Sequence, residues 1–247
     1  MLSPSLVLLS DQTALERSMD IVANNVANTS TTGFKRMGIE FDTLLSQPAP
    51  GKSLNFVVDR ATYRDSSTGP ITPTGNTLDM AIQGNGYFEV QMPDGTMRYT
   101  RNGAFQRNSQ GQISTLAGQP VLSDGGQAIT IPDTVSQINV ASDGSVSARI
   151  DNGTNLAQLG KIGIFTFAHD QTLQAQGNGL YTAAEPAQLA PSSSVIDGSI
   201  EQSNVQPVTE MTQMIRIMRS YEQTSNLISQ ENQRLTQAMN VLSRTTT

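Results

Sequence analysis

Apolar side chains recur at spacings of three and four along a segment near the end of the chain. The segment contains no Pro or Gly, and this spacing predicts a long helix that packs against other helices. From Val208 to Ser243, about 36 residues, the helix would be roughly 54 Å long, too long for one small globular domain to cover. The repeat positions, which include a few polar residues, are Met211, Met214, Met218, Tyr221, Ser225, Ile228, Asn232, Leu235, Met239 and Leu242.

A second repeat of the same kind lies at the start of the chain. Ser3 and Pro4 are typical of a helix N-cap and first helical position, and the polar cluster that ends in Gly33 predicts the end of this helix near Asn28. The two helices are predicted to form a coiled coil, either within one chain or between copies, and their length favours contacts between chains. The repeat positions of this first helix are Leu8, Gln12, Leu15, Met19, Val22 and Val26.

The middle of the chain changes to the two-residue alternation of a β-strand. Leu78, Met80 and Ile82 alternate with polar or small residues, and Pro93-Asp94-Gly95 separates two further runs as a hairpin turn would. Turn signals then follow at short intervals, which is typical of an antiparallel β domain. These signals are Asn102-Gly103, Gly111, Asp124-Gly125-Gly126, Asp143-Gly144 and Asp151-Asn152-Gly153.

Together the patterns predict an α+β fold, with long N- and C-terminal α-helices forming a coiled coil and a central antiparallel all-β domain. The N-terminal heptad helix occupies residues 1–33, and a proline-containing extended connector occupies 34–77. The β domain occupies 78–185. A linker rich in Pro, Ser and Ala at 186–204 leads to the C-terminal heptad helix at 205–247.

Composition argues against several classes of protein. Of 247 residues only 15% are charged and the net charge is −6, so the chain lacks the basic face that drives nucleic-acid binding. It has no cysteine, which excludes disulfides and thiolate metal sites. The apolar N-terminal stretch lacks an early basic residue and a small-residue cleavage site, and no apolar run approaches the roughly 20 residues of a membrane span. We therefore expect no cleaved signal peptide, no membrane insertion and no nucleic-acid partner.

Residues that could support catalysis or hold a cofactor do not form a recognisable site. The single histidine, His169, has no second imidazole or thiolate to complete a metal site, and a solvated turn is the better interpretation. Gly84-Asn85-Gly86 precedes strand residues and not the helix that a phosphate loop requires. We predict no catalytic residue, no cofactor and no metal. Two alternatives stay open on these patterns alone: a secreted β-domain adhesin on a coiled-coil stalk, and a carboxylate-dependent hydrolase.

Several segments, in collinear order, resemble the bacterial flagellar rod and hook proteins. The first is Ala23-Asn24-Asn25-Val26-Ala27-Asn28 with Thr31-Thr32-Gly33-Phe34-Lys35, whose signature positions are Asn24, Asn25, Asn28, Thr32, Gly33 and Phe34. The second runs from Thr74 to Phe88 and continues from Tyr99 to Phe105. The third runs from Gly198 to Val205 and leads into Glu210-Met211 and Arg219-Ser220-Tyr221-Glu222.

The resemblance implies a structural subunit of the flagellar basal-body rod, which polymerises into a hollow axial tube that transmits torque and passes exported subunits. The paired helices would line the inner tube, with the β domain as an outer layer. The implied partners are copies of itself, neighbouring proximal and distal rod subunits, and the flagellar type III export apparatus. That apparatus would deliver the chain to the periplasm without a cleaved signal peptide.

The same resemblance makes the repeat positions of both helices the expected assembly interface. Among them, the polar residues Gln12, Ser225 and Asn232 would specify the register of the packed helices. Hook proteins are much longer than this chain. Residues Asp59 to Asp65, ahead of Gly69-Pro70, are similar to the proximal-rod member of the family, with the distal-rod member as the alternative.

Overall fold

The computed structural model describes residues 4–49, 52–150, 156–190 and 192–245. The predicted N-cap Ser3 and the predicted turn at Asp151-Asn152-Gly153 lie outside these ranges, and the side chain of Leu242 is also outside the description. The chain folds into two compact units. The architecture combines an N-terminal and a C-terminal helix with a central antiparallel β region, which confirms the α+β class.

The first unit, here termed the helical unit, contains the described parts of residues 1–27, 37–65 and 206–247. Helix α1 spans Pro4–Ala27 and helix α2 spans Pro207–Thr245, so both predicted repeats lie on helices. Each helix begins at a proline, because the first helical position needs no N–H donor and proline fixes φ at a helical value.

The helical unit also contains a long β-hairpin that contacts α1. Strands β1 (Met37–Ala49) and β2 (Lys52–Arg64) pair antiparallel along most of their length, with a register shift between Glu40 and Phe41. The sequence analysis places an extended connector over residues 34–77, whereas the structure shows regular strand pairing there. A single extended segment and a paired strand have similar backbone conformations, so local composition does not show whether two such segments pair.

The second unit, here termed the β unit, contains residues 28–36 and the described parts of 66–205. Its described strands are β3 (Ile71–Pro73), β4 (Met80–Gln83), β5 (Tyr87–Gln91), β6 (Met97–Thr100), β7 (Phe105–Arg107), β8 (Ile113–Thr115), β9 (Val135–Val140), β10 (Ser145–Ile150), β11 (Leu156–Lys161), β12 (Ile164–Thr166), β13 (Gln174–Ala175), β14 (Leu180–Thr182), β15 (Gln188–Leu189), β16 (Ser194–Asp197) and β17 (Ser199–Glu201). A 3-10 turn spans Asp170–Thr172.

The strands of the β unit pair antiparallel and form several small sheets. The largest has the strand order β13-β14-β6-β5-β12-β15, and a second has the order β11-β10-β9. The β unit also contains the strand pairs β16-β4, β17-β3 and β7-β8. Because neighbouring strands in the largest sheet are mostly distant in sequence, this unit depends on contacts between remote segments.

The hairpin predicted around Pro93-Asp94-Gly95 is present as β5 and β6. Phe88 lies opposite Thr100, and Gly95 adopts φ +81°, a left-handed conformation that glycine tolerates best. The Asp94 carboxylate accepts a hydrogen bond from the backbone N–H of Thr96 (2.9 Å), which stabilises the turn.

The core of the β unit is built from apolar side chains of several sheets. Phe88 and Phe105 meet edge to face at its centre, with ring centroids 5.0 Å apart. A second, aromatic cluster holds Tyr87, Tyr99 and Tyr181, and Tyr99 packs against Phe167 at 4.8 Å. The buried members of the main core are Met80, Ile82, Phe88, Val90, Phe105, Ile113, Val121, Ile129, Ile131, Val140, Val146, Ile162, Ile164, Leu180 and Val195.

Residues 186–204, for which the sequence analysis predicts a linker, contribute strands to the β unit. β16 pairs with β4 and β17 pairs with β3, and Val195 is buried in the main core. These strands are only two to four residues long. Each contains very few apolar residues, so its sequence gives only a weak strand signal. The Pro-, Ser- and Ala-rich composition therefore conceals elements that complete the fold.

Glu89 is a buried acid of the largest sheet. Its carboxylate accepts a hydrogen bond from the Tyr99 hydroxyl on the neighbouring strand (3.0 Å). Burial raises the pKa of Glu89 above its ordinary 4.5, and the Tyr99 bond only partly opposes this shift. Burial, together with the nearby Glu89 charge, raises the pKa of Tyr99 to about 12. The buried pair therefore destabilises the folded protein least when Glu89 is protonated.

Glu89→Gln is expected to stabilise the chain at neutral pH, by up to about 1 kcal/mol, because Gln keeps an acceptor for Tyr99 without a buried charge. Because the pKa of Glu89 is raised in the folded state, its contribution to the free energy of unfolding is complete below pH 4.5. This contribution is lost as pH rises through the folded-state pKa. The gain should therefore shrink on acidification, as measured by thermal unfolding across this pH range. Asp197→Asn, at an exposed side chain, is the control. A gain that is independent of pH would contradict the assignment.

Candidate assembly surface and buried polar clusters

The predicted repeat positions of α1 lie on its covered side. Val22 is buried, and so are Ser18 and Asn25, which the repeat does not include. The remaining predicted positions are half-buried: Leu8, Gln12, Leu15, Met19 and Val26. Every predicted position of this helix is thus at least partly withdrawn from solvent in the single chain.

The most buried side of α2 is displaced by one residue from the predicted repeat. Glu210, Ile217 and Thr224 are buried at seven-residue spacing. The predicted positions divide into two groups: Met214, Tyr221, Ser225 and Ile228 are half-buried, whereas Met211, Met218, Asn232, Leu235 and Met239 are exposed. The predicted repeat follows the strongest apolar residues, but the buried side includes the polar side chains Glu210 and Thr224.

Polar contacts between described side chains join α1 to α2. The Gln12 amide donates a hydrogen bond to the Tyr221 hydroxyl (2.8 Å), which donates in turn to the Glu16 carboxylate (3.1 Å). The Asn25 amide donates to the Glu210 carboxylate (3.1 Å). Because Gln12 meets Tyr221 while the later Asn25 meets the earlier Glu210, the two helices are antiparallel.

Asn25 connects three elements of the helical unit. Its amide N–H groups donate to the Met37 carbonyl (2.8 Å) as well as to Glu210, and its side-chain oxygen accepts from the Met37 backbone N–H (2.9 Å). Asn25 thus pairs with the first residue of β1 as a neighbouring strand would. Asn25 and Glu210 are both buried, and Glu210 lies in the first turn of α2, where the helix dipole favours an acid.

An apolar stripe on α2 remains exposed. Its members, spaced three and four residues apart, are Val208, Met211, Ile215 and Met218, with exposed fractions of 78%, 52%, 53% and 46%. Further along the helix Leu227, Leu235, Met239 and Val241 are also exposed. We use the term "α2 stripe" for Val208, Met211, Ile215 and Met218.

The β unit contains a buried charged cluster. The Glu201 carboxylate accepts from the Lys35 ammonium (2.6 Å), from Nε of Arg101 (2.9 Å) and from the Gly69 backbone N–H (3.0 Å). Lys35 also donates to the Ser67 carbonyl (2.8 Å). Burial lowers the pKa of Lys35, and the Arg101 charge lowers it further, while the bond to Glu201 opposes both.

Two glycine-containing segments complete this charged cluster. Arg101 donates to the carbonyls of Gly86 (2.6 Å) and Gly84 (2.9 Å), so the Gly84-Asn85-Gly86 turn binds the guanidinium group of this residue. Gly33 donates its N–H to the Glu201 carbonyl (2.8 Å) at φ +70°. A Cβ at Gly33 would lie 2.5 Å from the carbonyl carbon of Arg101, so only glycine fits.

The other signature positions contribute to the turn after α1. The Asn28 side chain accepts from the Thr31 hydroxyl (3.1 Å), and the Asn28 carbonyl accepts from the Thr31 N–H (3.2 Å). Thr32 and Phe34 are half-buried, and the side chain of Asn24 is exposed. Among the signature positions, Asn28 thus stabilises the turn that ends α1, Asn25 links α1 to β1 and α2, and Gly33 fits beside the buried charged cluster.

Comparisons with known proteins cover nearly the whole chain. The family model described as "Flagella basal body rod protein" matches residues 6–35, and the "Flagellar hook protein FlgE/F/G D1 domain" model matches 81–148. The "Flagellar basal body rod FlgEFG protein C-terminal" model matches 196–241. The flagellar basal-body rod protein FlgF of Caulobacter vibrioides is 40% identical over 89% of each chain. The chain belongs to the flagellar basal-body rod protein family.

Two further relatives bear on the type of rod protein. FlgF of Mesorhizobium japonicum is 36% identical over 91% of each chain. FlgG of a Buchnera aphidicola strain is 32% identical over 90% of this chain and 93% of its own. The similarity therefore favours the FlgF type, and the resemblance seen in the sequence is confirmed. The family membership makes the chain a structural subunit of the rod of the flagellar basal body.

The matched segments of this rod protein contain the charged cluster that the sequence analysis missed. Lys35, Arg101 and Glu201 each lie in a segment of the resemblance, but no periodicity links three residues so far apart in the chain. The available signal was their charge. Only 15% of the residues in this chain are charged, and each of these three lies in a segment that resembles the family.

Metal-binding groups and membrane-spanning helices are not found among the described residues. Within the described ranges, no three His, Asp or Glu side chains are grouped so that they could hold a metal ion. Neither helix, over its described length, is apolar enough to cross a membrane. His169 lies beside Glu185, with Nδ1 3.0 Å from a carboxylate oxygen, on the surface.

Proposed function

We propose that the α2 stripe is a surface through which this chain packs against helices of neighbouring rod subunits. In this proposal the chain serves in the proximal rod, within a hollow axial tube that transmits torque and passes exported subunits. The observation that carries the proposal is that the four apolar side chains of the α2 stripe, spaced three and four residues apart, are exposed on a helix of a rod-family protein. Contiguous exposed apolar surface marks an interaction site in soluble proteins.

The lengths of the two helices support contacts between chains. α1 has 24 residues and α2 has 39, so at least about 22 Å of α2 extends beyond any length that α1 could cover. The contacts between α1 and α2 are proposed to continue as a coiled coil, with Gln12, Ser225 and Asn232 specifying register. The remaining repeat positions of α2, Leu235 and Met239, would then face other subunits.

The family also supports proposals about transport and partners. We infer that the chain passes through the flagellar type III export apparatus without a cleaved signal peptide and assembles in the periplasm. Its partners would be other copies of this chain and the adjoining proximal and distal rod subunits. The proposed role is mechanical, and no catalytic step is assigned to it.

Met218→Asp and Leu235→Asp are expected to abolish or strongly reduce assembly while leaving the subunit folded. Both side chains are exposed in the single chain, so a charge there costs less than about 0.5 kcal/mol before assembly. Once neighbouring helices cover these positions, an unpaired carboxylate loses its hydration without compensation. Swimming of complemented cells that lack the native gene, with secretion of the variant measured separately, tests this expectation.

The matched control is Gln223→Asp, which adds the same charge at an exposed polar position of α2. Cells carrying this variant should swim normally. A secreted, folded Met218→Asp subunit that supports normal swimming would rule out the α2 stripe as an assembly surface. Ile217→Asp, at a buried position one residue earlier, should instead unfold the helical unit of the purified subunit.

A further inference from the structure

The methionines of the chain are distributed unevenly between core and surface. Of ten methionines, four lie on α2, and two of these, Met211 and Met218, belong to the α2 stripe. Met80, by contrast, is fully buried in the β unit. Met97, on β6, is an exposed methionine outside the helices, at 39% exposure. The chain therefore offers both accessible and protected thioethers.

We propose that Met211 and Met218 are oxidation sites at which a peroxide blocks assembly of this subunit. The inference rests on the proposed function of the α2 stripe, since only an apolar contact surface would be disabled by such a change. It assigns a reversible chemical modification to two specific side chains.

The reaction needs only the thioether and the peroxide. The sulfur lone pair attacks one peroxide oxygen, an S–O bond forms and the O–O bond breaks. The thioether loses two electrons to become a sulfoxide, and hydrogen peroxide is reduced to water. Methionine sulfoxide reductases reverse the change, so the modification can be removed.

Oxidation would alter the stripe where packing requires apolar surface. A thioether is flexible and polarisable and fits irregular contacts between helices, whereas a sulfoxide carries a strong hydrogen-bond acceptor. The neighbouring stripe residues, Val208 and Ile215, have aliphatic side chains that offer no donor. Burial of an unpaired sulfoxide between apolar surfaces therefore opposes association.

The exposure of these two methionines would also restrict their oxidation to the stage before assembly. In the single chain Met211 and Met218 are about half exposed. In the proposed assembly they are covered, so a peroxide would reach them before incorporation and not afterwards. The modification would thus stop new subunits from joining while leaving existing rods intact.

The first experiment maps oxidation of the purified full-length chain by hydrogen peroxide, using peptide mass spectrometry. We expect sulfoxide at Met211, Met218 and Met97 to form at least about tenfold faster than at Met80, because reactivity follows exposure. Equal rates at Met211, Met218 and Met80 in the folded chain would overturn the inference, since the stripe would then not be preferentially modified.

The second experiment introduces a polar side chain of similar size by the double substitution Met211→Gln and Met218→Gln. Complemented cells are expected to lose most or all of their swimming, because burial of the polar side chains opposes association. The oxidation-resistant substitution of both residues by Leu should preserve swimming. Met97→Gln is the matched control and should also swim normally.

The outcomes separate this inference from the proposed function. If the Gln substitutions swim normally but Met218→Asp does not, the stripe is an assembly surface and the oxidation inference is wrong. If Met218→Asp also swims normally, the proposed function itself fails. If Met97→Gln impairs swimming as strongly as the stripe substitutions, polarity at the stripe is not the cause and the inference is overturned.

Discussion

Glu201→Gln is expected to lower the free energy of unfolding by about 3–5 kcal/mol, the range found when one partner of a buried ion pair is removed. The carboxylate accepts from Lys35 on one oxygen and from Arg101 on the other. A Gln amide has a single acceptor oxygen, so its NH₂ group must face one of these cations. Two buried positive charges would then remain without the anion between them.

The loss of unfolding free energy in Glu201→Gln should depend on pH, and the pKa of Lys35 gives the direction of the change. Burial and Arg101 already lower the pKa of Lys35, while Glu201 opposes the shift, so loss of the Glu201 charge lowers the pKa further. The cost of a buried ammonium is complete below its folded-state pKa and is relieved as pH rises from there towards the unfolded value of 10.5. The difference between wild type and Glu201→Gln should therefore decrease in alkaline solution.

Denaturant unfolding of the purified chain at neutral and alkaline pH measures both effects. Glu185→Gln is the matched control, because that carboxylate pairs with His169 on the surface, where such pairs contribute little. A double-mutant cycle with Lys35→Met isolates the coupling, since removal of one cation should recover part of the lost stability. Equal stabilities of Glu201→Gln and Glu185→Gln would show that the cluster does not stabilise the β unit.

Local patterns in the sequence predict the elements whose contacts are close along the chain. Both helices follow from heptad spacing and their first-turn prolines, and the β5–β6 hairpin follows from Pro93-Asp94-Gly95 between alternating runs. β16 and β17 could not be predicted in the same way. They are short, and their partners β4 and β3 lie more than a hundred residues earlier in the chain.

The covered side of α2 shows why periodicity alone gave an incomplete account. The predicted repeat and the covered side of α2 have the half-buried residues Met214, Tyr221 and Ile228 in common. The helix is therefore predicted correctly, and the predicted and observed covered sides differ by a rotation about its axis. Glu210 is buried because Asn25 on α1 donates to it, and hydropathy cannot indicate such a pair. Met211 and Met218, two predicted positions that this rotation leaves exposed, belong to the α2 stripe.

The charged cluster depends on tertiary structure in the same way. Lys35, Arg101 and Glu201 come together only when the segment after α1, the end of β6 and β17 are assembled. A resemblance to a family marks the segments as distinctive without giving the reason. The structure supplies that reason for Lys35, Arg101 and Glu201, and for Gly33, where only glycine fits.

Gly103→Ala is expected to destabilise the β unit by about 3 kcal/mol, at the upper end for overpacking. A Cβ at Gly103 would lie far inside van der Waals contact with the Met80 carbonyl oxygen and 2.7 Å from its carbon. Met80 is fully buried, and its N–H donates to the Gly103 carbonyl (2.9 Å), so neither backbone segment can move without losing that bond. Phe88 lies 3.2 Å away and blocks displacement in its direction.

Gly125→Ala provides a control that isolates this contact. Like Gly103, Gly125 has no left-handed φ, and a Cβ there would meet only the Ser123 hydroxyl at an ordinary 3.7 Å. Alanine at position 125 should therefore be neutral or slightly stabilising, because it restricts the unfolded chain. Denaturant unfolding of both variants compares the effects directly. If Gly103→Ala unfolded at the same denaturant concentration as Gly125→Ala, the close approach of Gly103 to Met80 could not be what requires glycine there.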